Sequence, residues 1–247
     1  MTQTGTDAGG TLKRYYAHLL EQLGPQGWWP GRTRLEVILG AILTQNTAWT
    51  NAARAVRQLR RQGLLNLRRL RATSPAALGA QIKSTGFFRQ KARTIRTFVE
   101  WLEDRYGGSL QAMFARPASE LRGELLGLRG LGPETVDSIL LYAGRRPFFV
   151  ADAYARRILA RHELVPAGIS YARLQEFMHQ HLPADHALFN EFHALLVEVG
   201  KRWCQRQEPR CQDCVLREFL PKGIPAIDLA ATGPAEAVEY EAQLLTR

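Results

Sequence analysis

Asp152 is a candidate for acid and base chemistry, because this acid stands at a predicted helix start behind a short apolar run at 148–150. A carboxylate there could stabilise a positive charge or accept a proton from water. The same position is also typical of a helix N-cap, since Asp accepts hydrogen bonds from the first backbone N–H groups of a helix. Taken alone, Asp152 is better explained as a plain cap.

A glycine-rich turn lies between two predicted helices in segment 124–144, ELLGLRGLGPETVDSILLYAG. One helix should end near Leu128 and the next should begin at Pro133. Between them, Gly130 and Gly132 permit a tight turn in which backbone N–H groups approach an anion. The N-terminus of the second helix adds partial positive charge there. Similar turns occur in proteins that bind no nucleic acid, so the motif alone leaves DNA binding undecided.

Three cysteines follow a C-x6-C-x2-C pattern: Cys204, Cys211 and Cys214. Their odd number, in a chain without the apolar core of a signal peptide, argues against a disulfide framework. Metal ligation and inert burial both remain open. No catalytic role is predicted for His193 or for the other histidines, which are expected on helix surfaces or in the core.

The composition indicates a folded protein with a polyanionic partner. The chain has 247 residues, 45% of them hydrophobic, and a net charge of +10. This length suits one large or two small domains, and the apolar content excludes disorder as the main state. A basic domain gains free energy by releasing counterions from a phosphate backbone, although the same charge could simply maintain solubility. The longest apolar run, 37–43, is too short to cross a bilayer. The first residues lack the apolar core of a signal peptide, which predicts a cytoplasmic protein.

Nearly every segment has helical periodicity. Alternating strand patterns bounded by hairpin turns are absent, so the sequence predicts an all-α protein of roughly ten short helices. Hydrophobic residues in 88–106 recur at spacings of three and four and form one stripe: Phe88, Ala92, Ile95, Val99, Leu102 and Tyr106. Residue types that favour N-caps mark helix starts at Ser74, Ser109, Ser119, Ser170 and Asp185. Disorder is expected at 1–10, and 223–247 should form a tail.

Several separated motifs together resemble one family. LRGLGPET at 128–135, then a loop with Gly144 and Pro147, then VAD at 150–152 resemble the helix-hairpin-helix (HhH-GPD) superfamily of DNA glycosylases, which includes endonuclease III. The resemblance implies a base excision repair enzyme that binds double-stranded DNA containing damaged bases. It also implies a monomer without membrane attachment, associated with the nucleoid.

The resemblance implies two α-helical lobes with a DNA-facing cleft between them. One lobe would comprise 33–144 and end in the helix-hairpin-helix. The other would combine 11–32 with 145–222, including the cysteine loop. Asp152 would then lie where the lobes meet.

Two further segments resemble DNA-binding parts of the family. ILTQNTAWTNA at 42–52 resembles the segment whose glutamine enters the gap left by a flipped base, and GFFRQKA at 86–92 resembles a loop that lies along the DNA. The DNA-contacting residues implied in this way are Gln45, Asn46, Arg89, Lys91, Arg129, Gly130 and Gly132.

The resemblance also implies a reaction. Bifunctional relatives use a lysine on the second hairpin helix as a Schiff-base nucleophile. The matching residue here is Glu134, and no lysine lies between Lys91 and Lys201. This pattern implies a monofunctional glycosylase in which water is the nucleophile and Asp152 is the catalytic carboxylate. The alternatives are an endonuclease III-like glycosylase and AP lyase acting on oxidised pyrimidines, and a catalytically idle DNA-binding relative.

The motifs GWWP, TQNTAW and GPET resemble the 3-methyladenine glycosylase branch, in which an aromatic sandwich holds an alkylated purine. The implied base pocket comprises Trp28, Trp29, Pro30, Trp49 and Glu134. A cationic base between indole faces would gain about 1–2 kcal/mol once desolvated. Packing in the core is the alternative explanation for the tryptophans.

The cysteine spacing resembles the 4Fe-4S loop of the family, whose fourth cysteine would fall at Leu220. Four thiolates normally hold such a cluster. The resemblance therefore leaves three alternatives: a cluster with one open iron corner, a cluster completed by an unusual ligand, or an empty loop. A zinc site is a less favoured alternative, because no histidine follows the cysteines.

Overall fold

The computed structural model describes residues 7–221, which divide into two compact units. Among the described residues, the terminal unit combines 7–28 with 147–221, and the central unit is Trp29–Arg146. No strand occurs within 7–221, so the predicted all-α class is confirmed. None of the helices in that range has the length and apolar character needed to span a bilayer. The predicted tail at 223–247 lies outside the described residues.

The described residues form a series of α-helices joined by short connections. In chain order they are α1 (Ala8–Leu23), α2 (Arg34–Thr44), α3 (Trp49–Arg61), α4 (Leu67–Ala72), α5 (Pro75–Gln81), α6 (Phe88–Tyr106), α7 (Leu110–Ala115), α8 (Ala118–Leu126), α9 (Pro133–Ser138), α10 (Ala153–Arg161), α11 (Tyr171–His181) and α12 (His186–Arg202). The helix α9 continues directly into a π-helical turn, Ile139–Ala143.

The core of the central unit forms around α2, which is buried from Leu35 to Leu43. It packs against α3, α6, α9 and the π-helical turn. The stripe predicted on α6 is buried at its four central positions, while Phe88 and Tyr106 at its ends are half-buried. The hydrophobic periodicity therefore identified the buried face of α6.

The terminal unit packs α10 against α12, and α1 against α11 and α12. Gly200 permits the close approach of α10, because a Cβ at this position would lie 2.2 Å from the ring of Tyr154. Arg157 of α10 donates from Nε to the backbone oxygen of Cys204 at 2.6 Å. These contacts fix the start of α10, and with it Asp152, on the surface of α12.

Most predicted helix starts are confirmed, and one is wrong. The side chains of Ser74, Ser109, Ser170 and Asp185 each accept a backbone N–H of the helix that follows. Ser119 instead lies inside α8, which begins at Ala118 after Pro117. The expectation of disorder at 1–10 is wrong from Ala8 onward. Asp7 caps α1 by accepting the N–H of Gly10 at 2.8 Å, which outweighs the low helix propensity of two glycines.

Burial of His162 predicts a loss of stability in acid. Its Nδ1 forms a 2.7 Å hydrogen bond with the Tyr15 hydroxyl, and burial lowers its pKa from 6.5 to about 4. Between these two pKa values, the unfolded chain therefore binds more protons than the folded chain. Stability should therefore be complete above pH 6.5 and decline by up to about 3 kcal/mol as the pH falls to 4. Urea unfolding at several pH values measures the free energy of unfolding of the wild type and of His162→Phe. The same dependence of that free energy on pH in both proteins would contradict the prediction.

Candidate nucleic-acid interface and active site

The hairpin between α8 and α9 has the geometry expected from its glycines. Gly130 has a φ of +92°, and a Cβ there would lie 2.1 Å from Thr94 Oγ1, so only glycine fits. Pro133 is the first residue of α9 and Gly132 is its N-cap. The exposed Arg129 precedes the turn. This arrangement places backbone N–H groups of a helix start beside a basic side chain, which suits a phosphate.

The Gln45 side chain fastens the hairpin to the end of α2. Its Nε2 donates to the backbone oxygen of Gly130 at 3.0 Å and to Thr135 Oγ1 at 2.8 Å. The Gln45 side chain is therefore held by hydrogen bonds within the central unit. The next residue, Asn46, is exposed and has a left-handed φ of +48° at the tip of the turn between α2 and α3.

Phe87 is an exposed aromatic residue that was not among the predicted site residues. Its side chain is 64% exposed, and its φ of +43° is uncommon for a residue other than glycine. It directly precedes α6, whose first turn includes the exposed Arg89 and has no side-chain cap. Residues other than glycine held in this backbone region are concentrated at functional sites. The two consecutive phenylalanines after Gly86 were the available signal.

Lys91 corrects the predicted set of DNA-contacting residues. It is only 3% exposed, and its Nζ donates to the backbone oxygens of Leu43 at 3.0 Å and Thr85 at 2.8 Å. Burial lowers its pKa to about 8. Lys91 therefore does not reach solvent where DNA could bind. It joins the end of α2, just before Asn46, to the loop that carries Phe87.

The three tryptophans predicted to line the base pocket belong to different units. Trp28 belongs to the terminal unit, where Lys201 Nζ lies 5.7 Å from the centre of its ring. Trp29 belongs to the central unit and contacts Trp49, with ring centroids 4.9 Å apart and planes at 90°. The two indoles touch edge to face, so their planes are not parallel and they cannot hold one base between their faces. Their accessible faces could still stack on a base.

Tyr142 joins the aromatic cluster of the central unit. Its ring centroid lies 5.1 Å from that of Trp29. The π-helical turn places it there, and such turns are frequent at functional sites. No sequence signal predicts a π-helical turn, so Tyr142 was missed. The other predicted pocket residues, Pro30 and Glu134, are both exposed, with Glu134 in the first turn of α9.

Asp152 is both a cap and a candidate catalytic group. Its Oδ1 accepts the backbone N–H of Ala155 at 2.8 Å, which makes it the N-cap of α10. Its Oδ2 lies 3.4 Å from Nε2 of His193, which α12 contributes. The Asp152 side chain is 12% exposed and that of His193 8%. No role was predicted for His193, because the contact joins two helices that are distant in the chain.

The cysteine loop does not fit a cluster held by four thiolates. Cys204, Cys211 and Cys214 line one small cavity, and Leu220, at the position of the fourth ligand, lines the same cavity. Within 7–221, no three His, Cys, Asp or Glu side chains are grouped as metal ligands. Burial raises the pKa of the Cys214 thiol to about 11, which favours the protonated thiol.

A buried arginine organises the cysteine loop from the side of α10. Arg161 Nη1 lies 3.2 Å from Cys204 Sγ and donates to the backbone oxygen of Gln205 at 2.7 Å, while its Nη2 donates to that of Arg206 at 3.1 Å. The guanidinium thereby satisfies two carbonyl groups of the loop.

The family model for the HhH-GPD superfamily base excision DNA repair protein matches residues 39–184, more than half of the chain. The chain belongs to this superfamily. It is a DNA glycosylase related to endonuclease III. A protein of Methanocaldococcus jannaschii assigned as a DNA repair glycosylase is 38% identical over 209 residues, which cover 84% of this chain and 94% of the relative.

Two solved structures of this superfamily share the fold. A trapped covalent intermediate of endonuclease III with DNA has a TM-score of 0.75 at 18% identity, covering 93% of this chain and 99% of the other. The 3-methyladenine DNA glycosylase of H. pylori, bound to 1,N6-ethenoadenine, has a TM-score of 0.68 at 24% identity. That match covers 80% of this chain and 98% of the glycosylase.

Proposed function

We propose that this glycosylase is monofunctional and releases alkylated purines from double-stranded DNA by hydrolysis. The observation that carries the proposal is that both positions hold carboxylates, Asp152 in the terminal unit and Glu134 in the central unit. Asp152 is held at the start of α10 with little exposure, while Glu134 occupies the position on α9 where bifunctional relatives have a lysine. A carboxylate there cannot form a Schiff base.

The hairpin and two exposed tips, Asn46 and Phe87, form the proposed DNA contacts. Because Gln45 is hydrogen-bonded to the hairpin, Asn46 is better placed to enter the gap left by a flipped base. Phe87 would stack against an exposed base, an interaction worth about 1–3 kcal/mol. Arg89 and Arg129 would neutralise phosphate.

In the proposed reaction, the bond between C1′ and the purine nitrogen breaks, and its electron pair leaves with the base. Positive charge develops on C1′ and the ring oxygen, and the Asp152 carboxylate stabilises it. Water then attacks C1′ and transfers a proton to Asp152. A 3- or 7-methylated purine is cationic and leaves as a neutral molecule. The departing purine therefore does not have to be protonated by an acidic side chain.

The aromatic cluster of Trp29, Trp49 and Tyr142 supports the choice of an alkylated purine. Electron-rich rings attract a cationic base more strongly than a neutral one. Trp49 is the better candidate for direct stacking, because it is the half-buried first residue of α3. Trp28 would act separately, from the terminal unit.

A panel of defined lesions tests the proposal. We expect single-turnover release of 3-methyladenine or 7-methylguanine, no release of oxidised pyrimidines, and about tenfold slower release by Trp49→Ala. Borohydride should trap no covalent adduct with DNA containing an abasic site. A trapped adduct would instead assign the enzyme to the bifunctional class, and binding without release of any base would identify a catalytically idle relative.

A further inference from the structure

We infer that His193 is a positioning residue that holds the Asp152 carboxylate in its reactive orientation; this inference rests on the proposed role of Asp152. The two oxygens of the carboxylate have different neighbours. Oδ1 accepts the N–H of Ala155 at 2.8 Å, and Oδ2 lies 3.4 Å from His193 Nε2. Contacts at both oxygens restrict rotation of the carboxylate plane, which the Ala155 contact alone would not do.

The surroundings of His193 make its imidazole a rigid support. The residue is only 6% exposed on α12, and the ring of Phe149 packs nearly perpendicular to it, with centroids 6.3 Å apart. Phe149 is itself fully buried against Phe189 and Phe192. A side chain held in this way keeps its nitrogen in one place during the reaction.

The position of the imidazole suits control of the orientation of the carboxylate. Nε2 of His193 lies next to Oδ2, so the ring limits where that oxygen can move. A carboxylate held in one orientation is better able to stabilise an oxocarbenium-like transition state. The separation of 3.4 Å is long for a hydrogen bond. Contacts of this kind are often long without substrate and shorten when the substrate is bound.

Three substitutions test the inference. We expect His193→Phe, which keeps the ring volume and removes both nitrogens, to lower the single-turnover rate of base release about tenfold. The Kd for DNA with an abasic-site analogue should stay within about twofold. His193→Gln, which restores a side-chain N–H, should return the rate to within about threefold of wild type. His162→Phe, a matched loss of a buried imidazole in the same unit, should leave the rate of the folded protein unchanged.

A double variant separates this inference from the proposed function. If His193 acts only through Asp152, adding His193→Phe to Asp152→Asn should cause no further loss of rate. A wild-type rate in His193→Phe, a further loss in the double variant, or no recovery in His193→Gln would each overturn the inference while Asp152→Asn remains slow. A wild-type rate in Asp152→Asn would instead overturn the proposed function, and the inference with it. Thermal melting of each variant confirms that it is folded.

Discussion

Asp152→Asn should lower the rate of base release by about 10²- to 10³-fold, because it removes the negative charge that stabilises the developing cation. Asn is as good an N-cap as Asp, so it should still accept the N–H of Ala155 and keep α10 intact. Single-turnover release of a methylated purine measures the rate. The Kd for abasic-site DNA should change little, since the substitution leaves the hairpin and the exposed tips untouched.

Asp185→Asn is the matched control. Asp185 is also a helix N-cap in the terminal unit and accepts the N–H groups of Ala187 and Leu188. The same chemical change there should leave base release unchanged. If Asp152→Asn released base at the wild-type rate, its carboxylate would have no part in the reaction and Asp152 would be a cap alone.

Features that depend on neighbours in the sequence could be predicted. A capping side chain and the backbone N–H that it binds lie within a few residues, which is why Ser74, Ser170 and Asp152 could be recognised as helix starts. The buried stripe of α6 follows in the same way from spacing alone. The class of fold and the hairpin could therefore be predicted.

Side-chain partners that are distant in the sequence could not be predicted. Gln45 and Lys91 resembled DNA-contacting residues, yet they bind backbone oxygens 85 and 48 residues away. Their polar ends face elements whose position depends on tertiary packing, and no local pattern encodes that packing. The same reason explains why the contact between His193 and Asp152 was missed. The sequence does not distinguish an exposed lysine from a buried one, because burial depends on how the surrounding helices pack.

Asp137→Ala should lower the free energy of unfolding by about 3–5 kcal/mol, because it breaks a buried ion pair behind the hairpin. Asp137 is fully buried on α9, and its two oxygens accept from Nε and Nη2 of Arg122 at 2.6 and 3.0 Å. Removing the carboxylate leaves a guanidinium charge near the core. Glu120→Ala, which breaks an exposed ion pair between α8 and Arg116 in the connection before it, should cost at most about 0.5 kcal/mol. Urea unfolding measures both.

A double variant shows whether the loss of stability comes from the unpaired guanidinium charge or from the loss of the ion pair itself. Replacing both partners, in Arg122→Met with Asp137→Leu, removes the pair without leaving a buried charge, so we expect the double variant to recover most of the lost stability. Because α8 and α9 flank the hairpin, the single variant should also bind abasic-site DNA more weakly than the double variant does. A double variant as unstable as Asp137→Ala would show that the carboxylate is needed for other contacts of α9, and that the remaining guanidinium charge is not the cause.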